Sequence, residues 1–84
     1  MSSMLEIYIE EDCRGCKQAR KNAIHVRAQF PQIHVSVIDI SEKVVPTPEE
    51  VFAVPMYLFN GRMLYLGNPG EKDLISRLEN LMSA

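Results

Sequence analysis

The amino-acid sequence predicts one α/β domain spanning residues 1–84, with the element order βαβαββα and a four-stranded mixed sheet flanked by helices. Three observations predict it. Two short runs rich in β-branched residues bracket a stretch with helical apolar spacing, the mark of a βαβ unit. Further on, Asn60-Gly61 separates two strand-like runs, a hairpin signal, because both residues tolerate the positive φ of a type I′ turn. An amphipathic segment then follows the hairpin.

Each element has its own local cause. Leu5-Glu6-Ile7-Tyr8-Ile9 suits a strand buried on most of its surface. After the polar turn Glu10-Glu11-Asp12, small or apolar residues recur at Cys16, Ala19, Ala23, Val26 and Phe30, one face of a helix that must end before Pro31. Ile33-His34-Val35-Ser36-Val37-Ile38-Asp39 alternates again and reads as a second strand parallel to the first. Thr47-Pro48-Glu49-Glu50 places a capping Thr, a Pro at the first helical position and a Glu three residues after the cap, so a short second helix is expected before Pro55. Met56-Tyr57-Leu58-Phe59 and Arg62-Met63-Leu64-Tyr65-Leu66 are the hairpin strands. Beyond the turn Gly67-Asn68-Pro69-Gly70, residues Leu74, Ile75, Leu78, Leu81 and Met82 define a last amphipathic helix.

Eighty-four residues suffice for one hydrophobic core. A hydrophobic share of 46%, a charged share of 24% and a net charge of -2 describe an ordinary globular protein without the basic excess of a nucleic-acid binder. No apolar run approaches the ~20 residues of a membrane helix, and Met1-Ser2-Ser3-Met4 is too short for a secretory signal. The expected setting is therefore cytoplasmic, with neither membrane nor nucleic acid as a partner. In that reducing setting a close cysteine pair points to catalysis, redox sensing or metal binding rather than to a staple.

Cys13 and Cys16 form a Cys-x-x-Cys motif where the first strand gives way to the first helix. Unpaired N–H groups and the positive end of the helix dipole favour a thiolate there. Arg14 and Lys17 favour it too, whereas Glu10, Glu11 and Asp12 oppose it; Asp12 is also a candidate helix cap. A structural zinc would require two more ligands. His25 stands nine residues beyond Cys16 on the same helix, about 13 Å along its axis, and His34 opens the second strand at the sheet end opposite Cys13. No metal site is expected; buried structural thiols are the plainer alternative to redox chemistry. Five of the basic residues, Arg14, Lys17, Arg20, Lys21 and Arg27, are placed on the first helix, with Lys21 and Arg27 on its solvated face.

Cys13-Arg14-Gly15-Cys16-Lys17 at a strand-to-helix junction, Val54-Pro55 opening the third strand, and a hairpin followed by Gly67 together resemble the thioredoxin superfamily over nearly the whole chain. The segment from Val54 to Leu81 resembles the C-terminal half of a thioredoxin, and the short N-terminus is closer to glutaredoxin. The resemblance implies a thioredoxin-like fold, a cis Val54–Pro55 bond facing the cysteine pair, and substrate contacts from Arg14, Gly15, Val54, Pro55 and Gly67. It also implies thiol–disulfide exchange, with Cys13 attacking and Cys16 resolving, on a disulfide-bearing protein or small molecule. An external reductant restores the dithiol, and no cofactor is implied. Asp12 and Lys17 are the residues expected to tune the pair electrostatically.

The sequence also departs from that pattern. Tryptophan is absent, Ile7 occupies the place of a buried Asp, and the residues between the cysteines are Arg-Gly. Gly67-Asn68-Pro69-Gly70-Glu71-Lys72-Asp73 replaces the paired glycines with which glutaredoxins hold glutathione, which weighs against a glutathione site. The rival expectation is a non-catalytic interaction module that binds a protein at Val54-Pro55 and uses the cysteines as a redox sensor. In either case the third strand, antiparallel beside the first, must begin at the sheet end where the first delivers Cys13.

Overall fold

The computed structural model describes residues 3–11, 13–41 and 48–83. Among them the elements run β1 (Ser3–Ile9), α1 (Cys16–Gln29), β2 (Ile33–Asp39), β3 (Met56–Phe59), β4 (Arg62–Leu66) and α2 (Glu71–Met82). The sheet order is β2-β1-β3-β4. β1 is parallel to β2, from Ser3 opposite Ile33 to Ile9 opposite Asp39, and antiparallel to β3, with Tyr8 opposite Met56. This is the four-stranded mixed sheet expected from the sequence. Its register has a consequence for position: β3 starts where β1 ends, so Pro55 and the turn leading to Cys13 share one end of the sheet. His34, opposite Met4, lies at the other.

The β3–β4 turn has the predicted form. Asn60 and Gly61 take φ values of 51° and 84°, which the absence of a Cβ makes cheap at the second position. Asn60 Oδ1 also accepts from the Met4 N–H at 2.8 Å, pinning the hairpin tip to β1. α1 ends at Phe30, whose φ of -128° and ψ of 77° are non-helical, as the residue before Pro31 requires. α2 starts after Gly70 and carries Glu71 and Asp73 in its first turn, where the helix dipole favours negative charge.

Both helices lie on one face of the sheet. Leu5, Ile7 and Ile9 from β1 pack there with Ala19, Ala23 and Val26 from α1, Leu74 and Leu78 from α2, and Tyr57 from β3. The opposite face carries Tyr8, Met56 and Leu58 and is covered by Val51. The short helix expected from Thr47 would lie in this covering segment. Thr47 falls outside the described residues, and from Pro48 onward the chain makes a single turn, closed by the Val51 N–H on the Pro48 carbonyl at 3.0 Å. Helix nucleation fixes several residues for one hydrogen bond, and Pro55 leaves no length over which propagation recovers that cost.

Three surface expectations also change. Leu81 is exposed rather than in the core, lining a cleft of about 410 Å³ with Phe59, Met63, Leu64, Arg62 and Arg77. Arg14 lies in the turn before α1. Arg27 is not merely solvated: its Nη2 donates to the Val35 carbonyl at 3.1 Å, on the edge strand β2.

Tyr8 gives the stability of this fold an alkaline limit. Its side chain is buried, and its hydroxyl donates to Glu6 Oε2 at 3.1 Å. Burial, and then the Glu6 charge, push its pKa up to about 12. An unfolded tyrosine ionises near ~10, so the contribution is complete below pH ~10 and is lost as pH rises toward 12. Unfolding free energy should fall by about 1–3 kcal/mol over that window. Denaturant titrations of Tyr8→Phe should show a flatter decline; an identical decline would assign the effect to another group.

Candidate functional site

The polar turn after β1 folds back on itself before α1 begins. The Cys13 N–H reaches the Glu10 carbonyl at 3.4 Å and the Cys16 N–H reaches the Cys13 carbonyl at 3.3 Å, which brings the two cysteine Cα atoms to 5.3 Å. The sulfurs are joined as a disulfide. They differ in exposure: Cys13 is half-buried, whereas Cys16 is 4% exposed and packed with the core. The Glu10 N–H points at Cys16 Sγ from 3.4 Å, a fixed donor for any negative charge that develops on the inner sulfur.

Pro55 lies against this turn, and the Val54–Pro55 peptide bond is cis, as expected. A Cβ placed on Gly15 would stand 3.3 Å from the Pro55 ring and 2.8 Å from Asn68 Nδ2, so a side chain here would make the Asn68 amide or the proline ring shift. Gly67 is tied to the same place by its N–H on the Pro55 carbonyl at 2.8 Å. The fold thus gathers Cys13, Gly15, Cys16, Pro55 and Gly67 from three separate stretches of chain. Val54, partly buried, packs against the core clusters on both faces.

A polar chain that sequence reasoning missed also ends here. Gln18 Nε2 donates to Asn22 Oδ1 at 3.1 Å, and Asn22 Nδ2 to the Tyr57 hydroxyl at 2.9 Å. That hydroxyl donates to Asn68 Oδ1 at 2.8 Å, and Asn68 Nδ2 donates to the Gly15 carbonyl at 2.7 Å. Asn22 and Tyr57 are both 0% exposed. The available signal was Asn22 itself, a polar residue at core spacing between Ala19 and Ala23.

Solved structures share this arrangement of strands and helices. Thioredoxin-2, described as a component of the malaria parasite protein secretion machinery, superposes with a TM-score of 0.76 at 15% identity, over 94% of this chain and 82% of its own. Thioredoxin O2 of Arabidopsis thaliana in the oxidized state gives 0.71 at 19% identity, over 95% and 75%. Thioredoxin from Trypanosoma brucei brucei gives 0.72 at 17% identity, over 99% and 77%. The chain has a thioredoxin fold. No protein-family model matches the sequence, and no curated protein matches it.

Within the thioredoxin fold the charged residues of the motif are divided. Arg14 and Lys17 are exposed beside the disulfide on the α1 side, and Glu10 and Glu11 are exposed on the β1 side. Asp12 lies outside the described residues, and the residue at the cap of α1 is Gly15, without a side-chain cap. His25 faces α2, where its Nδ1 lies 3.0 Å from Glu71 Oε1. Among the described residues no helix is long and apolar enough to cross a membrane.

Proposed function

We propose that this chain is a thiol–disulfide oxidoreductase that reduces disulfides through Cys13 and Cys16. The observation that carries the reading is the asymmetric pair: a half-buried outer sulfur joined to a buried inner one at the N-terminus of α1. In the reduced protein the Cys13 thiolate attacks one sulfur of the substrate disulfide, forming a mixed disulfide and releasing the other sulfur as a thiolate. The Cys16 thiolate then attacks Cys13 Sγ, the remaining substrate sulfur leaves, and the Cys13–Cys16 disulfide forms. Two electrons pass from the protein dithiol to the substrate, and an external thiol reductant returns them.

Each neighbouring residue has a part in this scheme. The helix N-terminus, Arg14 and Lys17 favour the Cys13 thiolate, and Asp12 opposes it. The Glu10 N–H supports the Cys16 thiolate. Gly15, Val54, Pro55 and Gly67 form the surface on which the substrate chain rests, with the Val54 backbone pairing with it. Substrates are disulfide-bearing proteins or small molecules in the cytoplasm, and the chemistry requires no cofactor.

The test is turnover. A small aromatic reporter disulfide, a recycling dithiol and substoichiometric protein should give many turnovers per protein molecule. Stoichiometric exchange without turnover would overturn the reading in favour of a redox-sensing interaction module. In the fully reduced protein a limiting amount of alkylating reagent should label Cys13 first; predominant labelling of Cys16 would reverse the two roles.

A further inference from the structure

We infer that Asn68 and Tyr57 are positioning residues for the cysteine pair, acting through the Gly15 carbonyl. The inference rests on the thiol–disulfide reading above. The hydrogen-bonded chain begins on α1 at Gln18 and Asn22, crosses to Tyr57 on β3, passes to Asn68 in the loop before α2, and returns to Gly15 at the cap of the same α1. It is a closed circuit with both ends on the helix that carries Cys16.

Every group in the circuit is directed by its neighbour. The Asn22 amide donates to the Tyr57 oxygen, which commits the hydroxyl hydrogen to Asn68 Oδ1 and so turns Asn68 Nδ2 toward Gly15. Burial holds the Tyr57 pKa above its ordinary value, which keeps the hydroxyl a donor. The Gly15 carbonyl accepts from both Asn68 and the Ala19 N–H, the latter at 3.0 Å, so both of its lone pairs are used. The peptide plane between Gly15 and Cys16 is thereby held in place.

Holding that plane matters most when the disulfide is open. With the chain between the cysteines already at the geometry of the closed ring, less conformational freedom is lost on closure, and Cys16 meets Cys13 at a higher effective concentration. Removing the clamp should make the disulfide easier to reduce.

The experiment equilibrates the wild type, Asn68→Ala, Tyr57→Phe and the double variant with glutathione, where dithiol and oxidised glutathione exchange for protein disulfide and two reduced glutathiones. The constant for disulfide formation should fall about three- to tenfold in each single variant, tenfold being about 30 mV toward a less negative potential. The double variant should fall no further than the singles, because either substitution opens the same circuit. Asn68 is exposed, so Asn68→Ala folds even if Tyr57→Phe is too unstable to use. An unchanged constant in Asn68→Ala, or shifts that add in the double variant, would overturn the inference. Failure of wild-type turnover would instead remove the catalytic reading and leave this comparison interpretable.

Discussion

Replacing Cys13 by Ser should lower disulfide turnover by about three orders of magnitude or more, to the rate of the recycling dithiol alone. A serine hydroxyl at neutral pH is not ionised and forms no mixed disulfide. Cys16 offers no substitute, since it is 4% exposed and packed beneath the turn with its sulfur facing the Glu10 N–H. The folded protein should remain intact, because Cys13 is only partly buried. Far-UV circular dichroism beside the kinetic assay separates loss of chemistry from loss of fold. Turnover above a tenth of wild type in Cys13→Ser would exclude Cys13 as the attacking sulfur.

The second large effect concerns Ile7. It sits in the middle of β1, paired with Val37 on one side and Tyr57 on the other, and is 0% exposed in the cluster that contains Cys16. This is the position where the resemblance would place a buried acid. Here Ile7 packs in a hydrophobic cluster, and Ile7→Asp should destabilise the protein by about 4 kcal/mol or more at pH 7, combining lost apolar packing with a buried carboxyl. Burial raises the folded carboxyl pKa above the unfolded ~3.9. The charge-dependent part of the penalty is therefore absent below pH ~4 and grows as pH rises toward the folded value. Ile7→Asn, which carries no charge, should show only the pH-independent part of that loss. Chemical denaturation of both variants between pH 4 and 8 checks this, and a stable Ile7→Asp at pH 7 would mean that the site holds an unrecognised partner for a carboxylate.

The strands were legible because their causes are local. Alternation placed β2 over Ile33–Asp39, and Asn60-Gly61 placed the ends of β3 and β4, so these three match residue for residue. β1 begins two residues earlier than Leu5, since pairing with Ile33 extends it past the apolar run. The meeting of Pro55 with the cysteine turn was legible from topology, because an antiparallel neighbour of β1 has to start where β1 ends.

What the sequence concealed depends on partners far along the chain. Asn22 reads as an interruption of an apolar face until Tyr57, 35 residues away, supplies a hydroxyl, and Asn68 reads as a turn residue until the Gly15 carbonyl, 53 residues away, comes within reach. Arg27 looked solvated until an edge strand came alongside. The segment after Thr47 shows the reverse failure: cap, proline and glutamate are real local signals, but from Pro48 onward the chain had length for only a turn.

The central claim is that Cys13 attacks and Cys16 resolves, and a trapped intermediate tests it most directly. Reduced Cys16→Ser, mixed with a disulfide-bonded peptide, should accumulate a one-to-one covalent adduct that peptide mapping by mass spectrometry assigns to Cys13 and that dithiothreitol releases. No adduct under conditions where the wild type consumes the same peptide disulfide would contradict the account.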